Sequence, residues 1–225
     1  VSGSPRILGI TVARSGSKGV PGKNTKLLCG EPLIAHTIKE ARQSTLLTDY
    51  IVSTDSQEVA NLSKRLGADV PFIRPQELAQ DNSSSVSALK HAVNEMERLR
   101  KLKYDFVIEL MVTNPFKTTF DIDKAIQTLI DSGADSVIAV KRVTDGHPAR
   151  LKKLIRGRIV DFCVPEELES RRQDLKPDAF IRCGAIYALT RSELMDRNRR
   201  YGSNFSLAME LAYTDSVNID DENDF

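Results

Sequence analysis

The sequence predicts an α/β domain in which a mostly parallel β-sheet is flanked by helices. Short apolar and β-branched runs alternate with segments of helical periodicity from the start of the chain to about residue 140, which is the pattern of such a sheet. The chain has 225 residues, of which 40% are hydrophobic, and this is enough for one domain with a substantial core. We therefore expect residues 5–225 to form a single domain.

Strands are assigned to apolar, β-branched runs, and helices to segments whose apolar residues recur every three or four positions. The predicted elements, in chain order, are strand 7–12, a glycine-rich loop at 13–24, helix 33–41, strand 50–54, helix 56–66, helix 86–102, strand 106–112, helix 121–130 and strand 136–140. Gly67 follows the second helix, as is typical of a residue after a helix C-terminus. Thr119 or Asp121 is expected to cap the fourth helix.

The alternation stops after residue 141. The segment 144–176 is rich in charge and proline, with two short strand candidates at 151–155 and 158–162, and we interpret it as an excursion from the main sheet. A strand at 183–189 is expected to return to the core, and a short helix begins after Thr190. Residues 216–220 are predicted to be a last strand-to-loop junction.

Composition excludes several classes of protein. Because 32 Lys and Arg nearly balance 31 Asp and Glu, the net charge of +1 argues against a general nucleic-acid or anionic-membrane binder. No apolar run approaches the roughly 18 residues of a membrane span, and no signal peptide is evident, so we expect a soluble, cytoplasmic protein. Three widely spaced cysteines disfavour a disulfide framework and a zinc knuckle.

The two ends of the chain carry opposite charge. No acidic residue precedes Glu31, whereas no Lys or Arg follows Arg200. If the fold brings the ends together, one could bind a polyanion and the other its counter-cation, as in phosphoryl and nucleotidyl transfer. The alternative is that both ends are solvated tails.

The loop 13–24 has the composition of a phosphate-binding loop. Its glycines would let backbone amides approach an anion, and its cations could neutralise a triphosphate. These residues are Gly16, Gly19 and Gly22, and Arg14, Lys18 and Lys23. The spacing matches neither the dinucleotide-binding fingerprint nor the P-loop, which disfavours an NAD enzyme or an ATPase. A basic surface turn is the alternative.

The motif Ala13-Arg14-x-Gly16-Ser17-Lys18-Gly19-x-x-x-Lys23-Asn24 resembles the opening motif of the acylneuraminate cytidylyltransferases, or CMP-sialic acid synthetases. Further matches follow in the family's order at 52–55, 74–85, 172–173, 184–187 and 219–220. The resemblance implies a Rossmann-like fold of the nucleotide-diphospho-sugar transferase type. It also implies transfer of CMP from CTP to the anomeric hydroxyl of a nine-carbon 2-keto sugar acid, with release of pyrophosphate and help from Mg²⁺.

The resemblance also implies roles for individual residues. Arg14 and Lys23 would bind phosphates, and Lys18 would stabilise charge on the transferred group. The other nucleotide-binding residues it implies are Gly16, Ser17, Asn24, Arg74 and Ser85. The segment 144–182 would be an inserted dimerisation segment, so we expect a homodimer in which Arg150 and Arg172 act across the interface.

Three positions depart from the family pattern. Asn218 stands where the metal motif usually has its first aspartate, so Mg²⁺ is expected on Asp220 with help from Asn218, although Asp220 could instead cap a helix. Met111 and Cys183 replace a glutamine and an asparagine on the side where the sugar acid and Tyr187 are expected.

These replacements favour a modified nonulosonic acid as the substrate. An eight-carbon 2-keto-3-deoxy acid remains an alternative substrate, and a nucleotide-binding relative without turnover remains an alternative function. Asp220 and a metal-bound water or hydroxide are the two candidates for the general base.

Overall fold

The computed structural model describes residues 3–16, 19–80, 82–143 and 146–225. Its strands are β1 (Ile7–Ala13), β2 (Leu27–Leu28), β3 (Glu31–Pro32), β4 (Asp49–Thr54), β5 (Phe106–Leu110), β6 (Ser136–Arg142), β7 (Lys152–Ile155), β8 (Arg158–Asp161), β9 (Phe180–Thr190) and β10 (Ser206–Glu210). Its helices are α1 (Leu33–Gln43), α2 (Gln57–Arg65), α3 (Ser85–Arg100), α4 (Thr119–Ser132) and α5 (Arg191–Met195). Within these ranges, no helix is both long enough and apolar enough to cross a lipid bilayer.

A six-stranded sheet in the order β10-β6-β9-β5-β1-β4 forms the centre of the fold. Neighbouring strands are parallel except at β9, which runs antiparallel to both β5 and β6. This confirms the predicted α/β class with a mostly parallel sheet. Because β1, β4 and β5 are parallel neighbours, their carboxyl ends open at one edge, and the loops that follow them lie side by side.

Helices cover both faces of the sheet, as the near-continuous apolar sequences of its strands require. On one face, Ile108 and Leu110 pack with α4 residues such as Ile122 and Ile126. On the other, Leu8 packs with α3 and α5 residues. A third cluster joins α1 and α2 to the edge of the sheet at β4.

The start of α4 corrects one expectation. The helix is capped by Thr118, not by Thr119 or Asp121. The Asp121 carboxylate instead accepts hydrogen bonds from the Thr118 amide (2.9 Å) and hydroxyl (2.8 Å), which completes a capping box. The Thr119 hydroxyl donates to the backbone carbonyl of Glu40 (3.0 Å), so it serves α1 and not the cap.

The end of the chain corrects a second expectation. The last strand is β10, which pairs in parallel with β6, and residues 216–220 form no strand. The physical reason is that the backbone of this segment is bonded to a turn. The Ile219 amide donates to the Thr113 carbonyl (2.7 Å), and the Val217 carbonyl accepts from the Asn114 side chain (2.8 Å).

The excursion after β6 contains the antiparallel hairpin β7–β8. Both strands begin and end within one residue of the predicted bounds. Several large apolar side chains in and beside this hairpin are exposed, which is unusual for a monomeric surface. They are Leu154, Ile155, Ile159, Phe162 and Leu168.

Candidate active site

The cationic first loop and the acidic end of the chain meet at the carboxyl edge of the sheet. The Lys23 ammonium donates to the Ile219 carbonyl (2.9 Å), 196 residues away, and lies 3.7 Å from the Asp220 carboxylate. Lys26 forms an ion pair with Glu222 and lies 4.3 Å from the centroid of the Phe225 ring. Two separate solvated tails, the alternative interpretation, are therefore ruled out.

Gly19 packs directly against the acidic end. A Cβ atom added there would fall far inside van der Waals contact with the Asp220 carbonyl oxygen and 3.3 Å from its carbonyl carbon. Glycine is therefore required at position 19 by the close approach of two backbones, a reason other than the predicted approach of backbone amides to an anion.

Asp55, directly after β4, shapes the start of the loop. Its carboxylate accepts from the Ser15 amide (2.9 Å) and from the Ser15 hydroxyl (2.6 Å), and it lies 3.7 Å from the Arg74 guanidinium. The Asn24 side chain donates to the Arg14 carbonyl (2.9 Å) and so closes the loop on itself. Asp55 belongs to the matched stretch 52–55, but its role could not be assigned from the sequence.

Two adjoining cavities lie beside this loop, of about 280 and 230 Å³, and both are lined by Val12, Arg14 and Ser85. The first is also lined by Arg74, Leu78, Ala79, Gln80, Ser83, Ser84 and Ala88. The second is also lined by Lys23, Asn24, Glu109, Met111, Val112 and Thr113. The fold thus gathers Arg14, Lys23, Asn24, Arg74, Ser85 and Met111, which the sequence predicted for the site, around one continuous depression.

Arg74 forms a buried wall of the first cavity. It is 2% exposed, donates to the Ser53 carbonyl (3.0 Å), and has a buried Nε with no hydrogen-bond partner among the described residues. Burial lowers the pKa of Arg74, and the nearby Asp55 carboxylate opposes that shift. The unpartnered Nε–H group of this guanidinium, in a residue that lines the cavity, suits an anionic or carbonyl-bearing ligand.

The N-terminus of α3 faces the same cavity. Ser84 is its N-cap, and the Ser84 hydroxyl accepts from the Ser87 amide (3.1 Å). Ser85 is the first residue of this 16-residue helix, so the positive end of the helix dipole adds to the charge of Arg14 and Arg74.

Two predicted residues of the loop, Ser17 and Lys18, lie outside the described residues, and their roles stay predictions. Gly16 is exposed, and a Cβ atom there would meet no atom within 4 Å.

The residues predicted to hold Mg²⁺ lie next to Lys23. The Asn218 amide donates to the Asp220 carboxylate, and its Oδ1 is buried without a hydrogen-bond partner in the described part of the chain. Such an orphaned oxygen beside a carboxylate fits a hard cation, which also takes oxygens from substrate phosphates. The described ranges contain no group of three or more His, Cys, Asp or Glu side chains placed for a metal.

Met111 lies on the same side as Asn218. A Cβ atom at Gly184 would lie 3.8 Å from the Met111 sulfur and 3.7 Å from the Asn218 Oδ1 atom. Gly184 has a φ of +66° within β9. The predicted metal side and the predicted sugar side of the site are therefore neighbours.

Cys183 and Tyr187 sit deeper than expected for direct contacts with a sugar. Cys183 is 3% exposed within the core, where burial raises the pKa of its thiol, and Tyr187 is 4% exposed. This burial does not support the predicted sugar contacts, which stay predictions. The Arg200 guanidinium lies 4.3 Å from the centroid of the Tyr187 ring.

Arg150 and Arg172 lie in the excursion, not around the two cavities. Arg150 donates to the Ser170 carbonyl (3.0 Å) and pairs with Glu166 (3.4 Å). Arg172 lines a separate cavity of about 640 Å³ together with His147. Their predicted action on a partner's site stays a prediction.

Lys117 was missed by the sequence reasoning, although it supports the turn after β5. It is 1% exposed, and its ammonium donates to the Met111 carbonyl (2.7 Å), the Asn114 carbonyl (2.5 Å) and the Thr37 hydroxyl (2.8 Å). Burial lowers the pKa of Lys117 to about 7. Nothing in the run around Lys117 distinguishes it from a surface lysine.

Glu109 was also missed. It is 2% exposed, lines the second cavity and accepts a hydrogen bond from Arg200 (2.5 Å). Burial raises the pKa of Glu109, against the opposing charge of Arg200. The available signal was a single carboxylate in the otherwise apolar strand β5.

The chain is similar in sequence to known proteins. A family model described as cytidylyltransferase matches residues 8–156. A CMP-N,N'-diacetyllegionaminic acid synthase of Legionella pneumophila is 31% identical over 96% of this chain and 91% of its own length. An N-acylneuraminate cytidylyltransferase of Streptococcus agalactiae is 32% identical over 96% of this chain, which spans 51% of that protein.

Solved structures share the fold. A CMP-2-keto-3-deoxy-manno-octonic acid synthetase in complex with CTP has a TM-score of 0.69 at 18% identity, covering 97% of this chain and 94% of that one. A 4-diphosphocytidyl-2C-methyl-D-erythritol synthase of Anaerococcus prevotii has a TM-score of 0.67 at 11% identity, covering 98% and 93%. At these identities the likeness confirms the predicted Rossmann-like nucleotidyltransferase fold and carries no further argument.

Proposed function

Because the chain belongs to the cytidylyltransferase family, we propose that it transfers CMP from CTP to the anomeric hydroxyl of a nine-carbon 2-keto sugar acid and releases pyrophosphate. The observation that carries the proposal is the meeting of the first loop with residues 218–220. Lys23 lies next to Asp220 there, which supports the proposal because nucleotidyl transfer requires cations on the phosphates together with a divalent metal ion.

The chain's own residues would act mainly by positioning and charge neutralisation. Arg14 and Lys23 bind the phosphates, and Arg74 with the N-terminus of α3 holds the nucleoside. The sugar acid enters beside Met111, so its anomeric oxygen can attack the α-phosphorus in line as the bond to pyrophosphate breaks. Fixed cations that neutralise the leaving group accelerate such a displacement without a covalent intermediate.

Asn218 and Asp220 would hold Mg²⁺. When bound, that ion would neutralise phosphate charge and help orient the triphosphate. Lys23 touches both this segment and the second cavity, so it links the phosphates to the metal side.

We propose a modified nonulosonic acid, with deoxy or acylated positions, as the sugar substrate. The thioether of Met111 offers apolar contact and at most a weak acceptor, which suits an acyl or methyl group better than a hydroxyl. The similarity to a protein named for N,N'-diacetyllegionaminic acid supports the same class.

The test is pyrophosphate release from CTP and Mg²⁺ with a panel of acceptor acids. The expected result is turnover with nine-carbon acids and the highest kcat/KM for a diacylated, deoxy member. Highest activity with unmodified N-acetylneuraminic acid would refute the modified substrate, and highest activity with an eight-carbon acid would refute the nine-carbon class. CTP binding without turnover for any acid would indicate a non-catalytic relative.

We also propose a homodimer formed through the excursion 144–182. The support is the exposed apolar side of the β7–β8 hairpin, where Leu154 is 75% and Ile159 is 71% exposed. Light scattering should give twice the chain mass of 25.0 kDa. The variant L154D/I159D should give a monomer, and a monomeric parent protein would refute the proposal.

A cytoplasmic location is part of the same proposal. The described part of the chain has no helix that could span a membrane, and the donor substrate would be CTP. Cell fractionation should recover the protein and its activity in the soluble cytoplasmic fraction, and recovery with membranes would contradict this.

A further inference from the structure

A buried ion pair lies at the wall of the second cavity, next to the phosphate-binding cations. Glu109 is 2% exposed, yet it lines the same cavity as Arg14, Lys23 and Met111. Arg200 offsets the charge of this carboxylate, and its oxygens are hydrogen-bond acceptors, so it does not bind the phosphate oxygens of CTP, which are acceptors too. Its presence calls for a ligand group other than phosphate.

Arg200 holds Glu109 in one orientation. Its Nη1 atom donates to the Oε2 atom of Glu109 (2.5 Å), and its guanidinium is stacked over the Tyr187 ring at 4.3 Å from the centroid. The side chain of Arg200 is 16% exposed and that of Glu109 is 3% exposed. A buried guanidinium with one ion-pair partner and one aromatic partner is a rigid support.

The pair leaves one carboxylate oxygen for a ligand. The hydrogen bonds formed among the described residues engage only Oε2 of Glu109. Packing alone does not require the pair, because apolar side chains of similar volume commonly replace buried ion pairs at little or no loss of stability. A carboxylate oxygen at a cavity wall is satisfied best by a hydrogen-bond donor.

We propose that Glu109 is a specificity-determining residue that accepts a hydrogen bond from a hydroxyl or an acylamino N–H group of the sugar acid, and that Arg200 positions it. The proposal rests on the proposed function, because it concerns the acceptor of that reaction. The triphosphate oxygens of CTP cannot donate, and the donors of its ribose and base belong to the nucleoside, which the proposed function assigns to the first cavity. Glu109 lines the second cavity beside Met111, so the sugar acid is the substrate that would supply the donor there. Glu109 therefore selects for the position and presence of that donor.

The deciding variant is E109Q, because it keeps the shape of the side chain. The glutamine must turn its oxygen toward Arg200 and present its amide hydrogens to the cavity. It then cannot accept from an acylamino N–H group, and it replaces the charge-assisted bond from a hydroxyl with a weaker neutral one. We expect the KM for the preferred sugar acid to rise about 10- to 100-fold, as for loss of a hydrogen bond to a charged group. The KM for CTP and the melting temperature should stay close to those of the parent protein.

The double variant E109L/R200L separates recognition from packing. It replaces both charges with apolar side chains, so the fold should be retained while the loss in KM for the sugar acid persists. The matched control is E95L/R98L, which removes an ion pair of similar length (2.7 Å) from the exposed side of α3 and should leave both KM values unchanged.

Two outcomes would overturn the proposal in different ways. If the parent protein turns over a sugar acid and E109Q shows both KM values within twofold of it, Glu109 is not a recognition residue and the proposed function stands. A return of the parent KM in E109L/R200L would also overturn it, because the pair would then be structural. If the parent protein releases no pyrophosphate with any acid, the proposed function fails and this proposal fails with it.

Discussion

Substituting Gly19 by alanine tests whether the contact between the first loop and the acidic end supports catalysis. The added methyl group would lie far inside the van der Waals contact distance from the Asp220 carbonyl oxygen and 3.3 Å from its carbonyl carbon. Both atoms belong to the backbone, so no side-chain rotation relieves the overlap. Either the loop or the segment 218–220 has to move.

The size of that movement follows from the contact. Restoring an ordinary carbon–oxygen separation requires a shift of about 1 Å between the two backbones. A misplacement of this size between reacting groups lowers the rate about 100-fold. Because the shift separates Lys23 from Asp220, the Mg²⁺ concentration needed for half-maximal activity should rise as well.

The assay is pyrophosphate release at saturating CTP, repeated over a Mg²⁺ titration, with the melting temperature of each variant. The control is G3A, since a Cβ atom at Gly3 meets nothing within 4 Å and residue 3 is far along the chain from the loop. We expect G19A to lose activity about 100-fold while G3A matches the parent protein. A G19A enzyme with kcat and Mg²⁺ dependence within twofold of the parent would refute the reasoning.

Four further substitutions test the rest of the site. K23M should raise the dissociation constant for CTP about 10- to 100-fold in calorimetry, because a charge-assisted phosphate contact is lost. The control K64M, on the exposed side of α2, should bind CTP as the parent protein does. Equal CTP affinities of K23M and the parent protein would contradict the role of Lys23. R74M should lower the free energy of unfolding in urea by about 3 kcal/mol, because it removes the counter-charge of the Asp55 carboxylate. A loss below about 0.5 kcal/mol would contradict a stabilising role of the pair between Arg74 and Asp55. Burial lowers the pKa of Lys117 to about 7, so between pH 7 and 9.5 the unfolded chain binds more protons than the folded one. The free energy of unfolding should therefore rise with pH in this range, by at most about 1.4 kcal/mol per pH unit. The K117M variant should lack this rise, and parallel curves of unfolding free energy against pH for the two proteins would contradict the reasoning. N218D adds a carboxylate and should tighten Mg²⁺ binding about 3- to 10-fold in calorimetry with CTP present. Unchanged or weaker Mg²⁺ binding would argue against a metal at this position.

The alternation of strands and helices predicted most of the fold because each element is specified locally. The apolar run at β1, the glycine after α2 and the turn between β7 and β8 are short-range patterns, and the structure has elements at these places. The direction of β9 is different. An apolar strand has the same periodicity whether it runs parallel or antiparallel to its neighbours, so its antiparallel orientation depends on the path of the preceding excursion.

The last strand was misplaced because two short segments compete for it. Residues 206–210 begin with a serine and are only partly buried, whereas 216–220 contain the apolar Val217 and Ile219. The available hydrogen-bonding partner decides which of the two segments forms the strand. The edge of β6 is open to 206–210, while the backbone of 217–219 bonds to Thr113 and to the side chain of Asn114.

The predicted site residues that converge follow β1, β4 and β5, whereas Arg172 and Tyr187 belong to matched stretches and do not line the two cavities. Buried charges could not be predicted, because burial of a charge depends on distant parts of the chain. Lys117 becomes buried only when α1 supplies Thr37 and the turn after β5 folds back to supply Met111 and Asn114. Glu109 gains its partner only when Arg200, 91 residues later, returns to the sheet.

The turn after β5 joins two of the three departures from the family pattern, Met111 and Asn218. Lys117 donates to the carbonyl of Met111 on the sugar side and to that of Asn114, whose own side chain donates to Val217. The residue after Val217 is Asn218, so one buried ammonium supports both the predicted sugar side and the predicted metal side. Met111 and Asn218 both approach Gly184 within 4 Å of where its Cβ atom would lie. A less polar sugar side and a less charged metal side thus occur at adjacent positions on one support, which is the arrangement expected if the two replacements accommodate the same ligand.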